Sequence, residues 1–288
     1  MIPVVAAESQ FFTPLRTLLR TSLRTSLRTP PGTYPVISLK DDADHAVLPE
    51  RFTLMLGNEP HPLCLLAANS LQQYLNTQQE WKHNFGLAAH NTGTVIGKMF
   101  GVLVVETPQH EIGYLSAFSG KMAGTNQYTK FVPPVFDLLT ENSFLNLGMQ
   151  ELARLSGEIN TLKLTPGTTA ETLVRLKRFR KAHSVALQTQ IFEHYHFLNQ
   201  AGAEKSLVDI FKGLTHKNPP AGAGECAGIK LLQYAFQHKM KPVALAEFWW
   251  GQSPKSDTWK HGHFYPCCRE KCEPILEHML LGLDCDYL

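Results

Sequence analysis

Hydrophobic positions recur along this chain with two periods, and the places where the period changes mark its elements. After His61, Leu63, Leu66, Ala67, Ser70, Leu71, Tyr74 and Leu75 fall at helical spacing, so residues 62–82 are predicted to form an amphipathic helix. Thr94–Thr107 (TVIGKMFGVLVVET) then turns rich in β-formers, and Glu111–Lys121 follows across Pro108-Gln109-His110. That pair is predicted as a hairpin. Glycines 97, 101, 113 and 120 within it suggest bulges or close packing.

Beyond the hairpin, Phe131–Thr140 contains Pro133-Pro134 and a short segment of helical pattern, and residues 144–163 and 168–198 read as polar-rich helices. Asn218–Cys226 (NPPAGAGEC) is a flexible lead into a helix over about 225–239, with Ile229, Leu232, Ala235 and Phe236 as its apolar positions. Gly222 and Gly224 could suit a phosphate loop, but no strand precedes them and no Gly-Lys-Ser/Thr follows. Lys241-Pro242 breaks to Val243–Trp250 (VALAEFWW), a predicted buried strand, and 251–260 is a loop. Pro274 suits the first position of a last helix ending near Gly282.

These elements predict an α+β fold of α/β-like order: a small mixed β-sheet with flanking helices and a helical insertion. Four segments follow from the pattern. Residues 1–50 are an N-terminal extension expected to be poorly ordered, and 51–140 the helix-plus-hairpin half. Residues 141–215 are the helical insertion, and 216–288 a helix-strand-helix half with a cysteine cluster. Within the extension Arg16, Arg20, Arg24 and Arg28 repeat every fourth residue, a spacing that would line one face of a basic helix able to meet membrane or RNA. No long apolar face accompanies them, which favours a low-complexity extension.

Charge changes the picture only locally. Lysine and arginine number 27 against 25 acidic residues, a net +2, so the whole molecule does not attract polyanions. Arg175, Lys177, Arg178, Arg180 and Lys181 form the strongest basic cluster outside the extension. Such a run is either a solvated helix face or an RNA-facing surface. No run of about 18 apolar residues occurs, so no membrane-spanning helix is expected. The apolar opening lacks a basic leader and the length of a signal peptide, and a cytoplasmic location is expected.

The most pointed chemistry lies near the carboxyl end. Five of the six cysteines fall from Cys226 onward, and the densest run reads His261-Gly-His-Phe-Tyr-Pro-Cys-Cys-Arg-Glu-Lys-Cys272. In a reducing compartment this points to metal or catalytic use rather than disulfides. Cys226, Cys268 and Cys272 are the best candidate ligands for Zn2+, with His261 (or His263) as the fourth. Cys267 points differently from Cys268 and is the weaker candidate. If 267–272 were helical, Cys268 and Cys272 would share a face. Pro274 instead favours a knuckle-like turn. The alternative is a set of buried or reactive thiols without metal. Cys64 reads as a buried apolar thiol, and Cys285 as incidental.

The coarse order of elements is similar to that of zinc-dependent nucleobase and nucleoside deaminases. In that family a metal-activated water attacks the ring, and a glutamate that is not a ligand shuttles protons. There a His or Cys ligand precedes the glutamate by two positions and a Pro-Cys-x-x-Cys follows the next strand. Here Glu225 precedes Cys226 directly and the later spacing is Cys-x3-Cys. Glu247 is an alternative acid.

A second resemblance is carried by longer stretches: Gly97–Glu106, Glu111–Lys121, Phe131–Asp137, Pro219–Cys226, Glu247–Gly251, His263–Pro266 and Lys271–Leu276. Together they resemble the N-terminal region of long-form RluA-type pseudouridine synthases over about residues 50–283. The resemblance implies a role in uridine isomerisation in ribosomal or transfer RNA. That family's catalytic aspartate lies in an Arg-Leu-Asp motif, which is absent from these 288 residues, so no catalytic residue carries over. The expected function is therefore an RNA-associated accessory region, working with a separate catalytic pseudouridine synthase domain. The rival is a zinc-dependent hydrolase of the deaminase kind.

Overall fold

The computed structural model describes residues 13–14, 48–54, 59–88, 93–108, 110, 112–137, 139, 144–214, 218–254 and 258–285. They form an α+β fold around a small mixed sheet. The chain divides into two compact units. The first takes the described residues up to Val135, then Phe197–Glu204, then those from Gly222 onward; the second takes Phe136–His196 and Lys205–Ala221.

In the first unit the sheet holds β1 (Thr13–Pro14), β2 (Thr53–Leu54), β3 (Lys98–Glu106), β4 (Ile112–Phe118), β7 (Lys241–Trp250) and β8 (Phe264–Tyr265). The order is β1-β4-β3-β7-β2, with β8 also on β7. All pairs are antiparallel except β2 with β7. The expected hairpin is β3–β4, running in register from Phe100↔Phe118 to Glu106↔Ile112. Strand β7 begins at Lys241 and includes Pro242, which has no N–H to give a ladder. The β3–β7 register shifts beside it, between Val104 and Val105. A bulge at that point accommodates the missing donor.

Helix α1 (Pro62–Thr77) covers one face of the sheet. Leu63, Ala67, Leu71 and Tyr74 pack with Phe100, Val102, Val104 and Phe248 in one buried cluster. His61 caps α1 by accepting from the Leu63 N–H, and Pro62 takes the first turn, where its missing donor is harmless. The helix stops at Gln78, short of the expected 82, because the Gln78 side chain accepts from the Trp81 N–H and bonds the Trp81 carbonyl in a turn. Trp81 then packs on Phe85 and Tyr128.

Helix α5 (Ala227–Gln237) covers the opposite face, and Ala227 through Ala235 are all buried. Its approach depends on Gly101. A Cβ added there would lie 3.0 Å from both Ala227 Cβ and Leu231 Cδ1. The buried Lys230 ties α5 to the end of β4, donating to the carbonyls of Phe118 and Gly120 at 3.1 Å each. Helix α6 (Glu273–Met279) closes the unit; Pro274 is its second residue rather than its first.

In the second unit α2 (Phe144–Leu164) and α3 (Ala170–Glu193) form a helical hairpin, close-packed where Gly148 meets Leu187, and α4 (Leu207–Lys212) follows. Helix α3 ends at His194, before the expected 198, where the chain turns into the short strand β5 (His196–Leu198), paired with β6 (Glu204–Ser206). No helix occurs among the described residues of 131–140, since Pro133 and Pro134 supply no amide donors. The expectation of low order over residues 1–50 falls mostly outside the described residues; within it Thr13–Pro14 pair with Tyr114 and Gly113. The arginines of the repeat also lie outside. Cys285 is buried, and its backbone bridges to Phe52.

Candidate metal centre

Two segments deliver the thiols to one end of the sheet. Cys226 is the N-cap residue of α5, with φ −71° and ψ 150°, and its side chain makes no capping hydrogen bond. Cys272 holds the same position on α6, also without a capping bond. Cys268 sits one turn earlier, and its carbonyl accepts from the N–H groups of Cys272 and Glu273. The segment is thus a turn feeding a helix.

The three sulfurs lie within 4.8 Å of one another. Cys268 Sγ and Cys272 Sγ are 3.3 Å apart, far beyond the roughly 2.05 Å of a disulfide. A tetrahedral zinc thiolate with bonds near 2.3 Å needs sulfurs about 3.8 Å apart. The donors fit that group in type and spacing.

Electrostatics also suit a cation. Hydrogen bonds from Cys226 and Cys272, helped by the backbone N–H groups of Lys271 and Cys272, pull the Cys268 thiol down to about 2. Sharing with Cys268 holds Cys226 up, and sharing with Cys226 and Cys268 does the same to Cys272. Cys226 is the N-cap of α5, so the positive end of that helix lies at the same corner. A bound metal would take the sulfurs as thiolates.

No fourth histidine, cysteine or carboxylate joins the three among the described residues. His261, expected as the fourth ligand, does not: its Nδ1 accepts from the Gly251 N–H at 3.1 Å and its ring meets Trp250 edge-on at 4.3 Å. The turn that follows β7 holds it there. His263 is exposed and also outside the group. Cys267 is half-buried and also outside the group, and burial pushes its thiol up to about 12.

Glu247, the alternative acid, is buried on β7, on the face that α5 covers, and its Oε1 accepts from the Gly228 N–H at 2.9 Å. Burial pushes its carboxyl up to about 7, opposed by that hydrogen bond and aided by the charge of Cys268. Gly228 is two residues past Cys226. A Cβ there would meet only ordinary contacts with Leu245 and the Glu247 carboxyl carbon. So a carboxylate stands beside the second residue after a candidate ligand, but arrives from the facing strand.

A cationic edge adjoins the thiols. The Gly120 N–H donates to the Glu225 carbonyl at 3.0 Å, which brings the end of β4 against the residue before Cys226. Lys121 follows, exposed, and Lys98 opens β3 at the same end of the sheet. Burial lowers Lys98, and the neighbouring Lys121 charge lowers it further. The described cavities lie elsewhere. One of about 440 Å³ is lined by residues including Trp81 and Tyr128, another of about 810 Å³ by residues including Phe85 and Trp250.

The basic cluster Arg175, Lys177, Arg178, Arg180 and Lys181 belongs to α3 in the second unit, and all five are exposed. Arg180 Nε donates to Ser156 Oγ at 2.7 Å on α2. At about 100° per residue the five charges spread over roughly 220° of the helix, wider than a single face. Among the described residues no helix is long and apolar enough to cross a membrane. No family model, curated protein or solved structure matches this chain.

Proposed function

We propose that the protein is a zinc-dependent hydrolase of the nucleobase-deaminase kind, with Cys226, Cys268 and Cys272 holding the metal and Glu247 carrying the proton. The observation that carries this reading is the 2.9 Å bond between Gly228 N–H and Glu247 Oε1. It sets an acid–base group beside a three-thiol set that lacks a fourth protein donor among the described residues. Structural zinc sites close with four protein ligands, whereas catalytic ones keep three and leave a position for water.

When bound, zinc would supply an activated water for attack on a ring carbon bearing an amino group. The chain's own part is proton handling. Hydrolysis consumes one water, breaks the carbon–nitrogen bond and releases ammonia, so a proton must move from water to the departing nitrogen. Glu247 accepts it and returns it, while its other duty, the bond from Gly228, keeps the carboxylate aimed. The neighbouring metal charge would draw the Glu247 carboxyl down from its buried value.

Ammonia release from cytidine, adenosine and their nucleotides by the zinc-loaded chain tests the reading. Wild type should release ammonia from at least one of them, and Glu247→Gln should not, with zinc content unchanged. Equal turnover by both, or no turnover by wild type on any, would overturn it.

A second reading is favoured by the exposed cations of α3. In it the chain is an RNA-associated accessory region in ribosomal or transfer RNA modification, partnered by a pseudouridine synthase domain. Removing the charges of Arg175, Arg178 and Arg180 together should then weaken RNA binding and flatten its salt dependence. Unchanged affinity at low salt rejects that surface.

A further inference from the structure

We propose that Trp249, Trp259 and Tyr265 form a stacking subsite for an unpaired base flanking the reacting one, so that the substrate is a single-stranded nucleic acid whose phosphates meet Lys121. The reacting base rests on the hydrolase reading, but the subsite has its own geometry. Side chains alternate along a strand, so Trp249 emerges on the same face of β7 as Glu247, about 6.5–7 Å further along. Tyr265 on β8 is the direct cross-strand partner of Glu247, which puts their Cβ atoms about 5 Å apart on one face. The aromatic group thus continues the surface on which the carboxylate stands.

The rings are arranged as a platform. Trp249 and Trp259 are nearly parallel, with centroids 5.9 Å apart and planes at 22°. Tyr265 meets Trp259 edge-on at 4.6 Å. Hydrogen bonds fix the frame from behind: Trp249 N–H donates to the His263 carbonyl at 2.9 Å, and the Lys260 N–H to the Tyr265 hydroxyl at 2.7 Å. Gly97 lets the Trp249 ring lie flat across β3, since a Cβ there would fall 2.3 Å from Trp249 Cζ2. All three rings remain half-exposed. Phe248 and Trp250, on the other face, are buried in the core.

Two indoles set rigidly at a surface are what base stacking uses, because every base has a π-face. The exposed Lys121 stands at the same end of the sheet, just past the end of β4, whereas Lys98, paired with Trp250, lies on the other face. Rings with an exposed cation at the same end of the sheet match a strand's alternation of base and phosphate better than they match a free base.

Fluorescence anisotropy of labelled ten-nucleotide oligouridylate and oligothymidylate on the zinc-loaded full chain tests the subsite, with uridine monophosphate as competitor. Trp259→Ala should weaken both strands at least about fivefold, the lower end of one lost stacking contact, with zinc content and melting temperature kept. Trp259→Phe, which retains a ring if the alanine variant unfolds, should bind closer to wild type. Lys121→Ala should weaken binding and lower its salt slope. Wild-type affinity in folded Trp259→Ala, or in Trp259→Phe together with Lys121→Ala, would overturn the proposal. So would competition by the mononucleotide at the strand's own affinity. The hydrolase reading is tested separately, since ammonia release can fail while strand binding still depends on Trp259, and the reverse.

Discussion

Glu247 Oε1 and the Gly228 amide nitrogen lie 2.9 Å apart, joining the middle of a strand to the first turn of the helix that Cys226 caps. The bond spans 19 residues of sequence, and it fixes a carboxylate next to three converging thiols. Its consequences for activity and for stability can be separated.

Replacing Glu247 by Gln keeps an oxygen able to accept from Gly228 and removes the buried charge. Zinc binding should be unchanged and the melting temperature unchanged or raised, while ammonia release falls by at least about a hundredfold, the lower range for a lost general acid–base. Metal analysis, a thermal scan and the ammonia assay on one preparation check this.

Gly101 and Gly228 predict opposite outcomes for the same change. Gly101→Ala presses a methyl to 3.0 Å from Ala227 and Leu231. Overpacking of this kind costs about 1–3 kcal/mol, and it pushes against the turn of α5 that Cys226 caps, so zinc affinity should fall too. Gly228→Ala meets only ordinary contacts and lies within a helix. It should stabilise the protein by roughly 0.5–1 kcal/mol. Urea unfolding of both variants decides the pair.

Much of this frame can be read from the chain alone. Helix α1, the β3–β4 hairpin, α5 and β7 all carry a clear period, and the three ligand candidates follow from residue type and spacing. Strands β1, β2 and β8 have two residues each, too short to show a period; they exist because β4 and β7 offer edges. Burial makes Glu247 look like a satisfied core residue until Gly228 is seen to receive it. His261 is a reasonable ligand by type, but the turn at Gly251 uses its Nδ1 instead. The aromatic platform has no local signal, since it needs the β7–β8 register to bring Tyr265 opposite Glu247.

A pH effect independent of the thiols is expected at His83. Its Nε2 lies 2.8 Å from the Ile96 carbonyl, and its Nδ1 accepts from the Ala123 N–H. Only the neutral ring satisfies both. Burial holds its pKa below the usual histidine value, the Ile96 bond opposing and the Lys98 charge assisting. A depressed folded value means the stability His83 contributes is full above about pH 6.5, the unfolded value, and is lost as pH falls through the folded one. The drop in urea midpoint from pH 7.5 to 5 should therefore be smaller in His83→Gln than in wild type. An equal drop in both would remove His83 as a cause.

The most direct measurement is the zinc content of the purified full-length chain after exchange against excess zinc and desalting, alongside single serine variants. One zinc per wild-type chain is expected, with a clear loss in Cys226→Ser, Cys268→Ser and Cys272→Ser and full occupancy in Cys267→Ser and His261→Ala. A wild-type chain without stoichiometric zinc, or a Cys268→Ser variant that holds it as wild type does, would contradict that expectation.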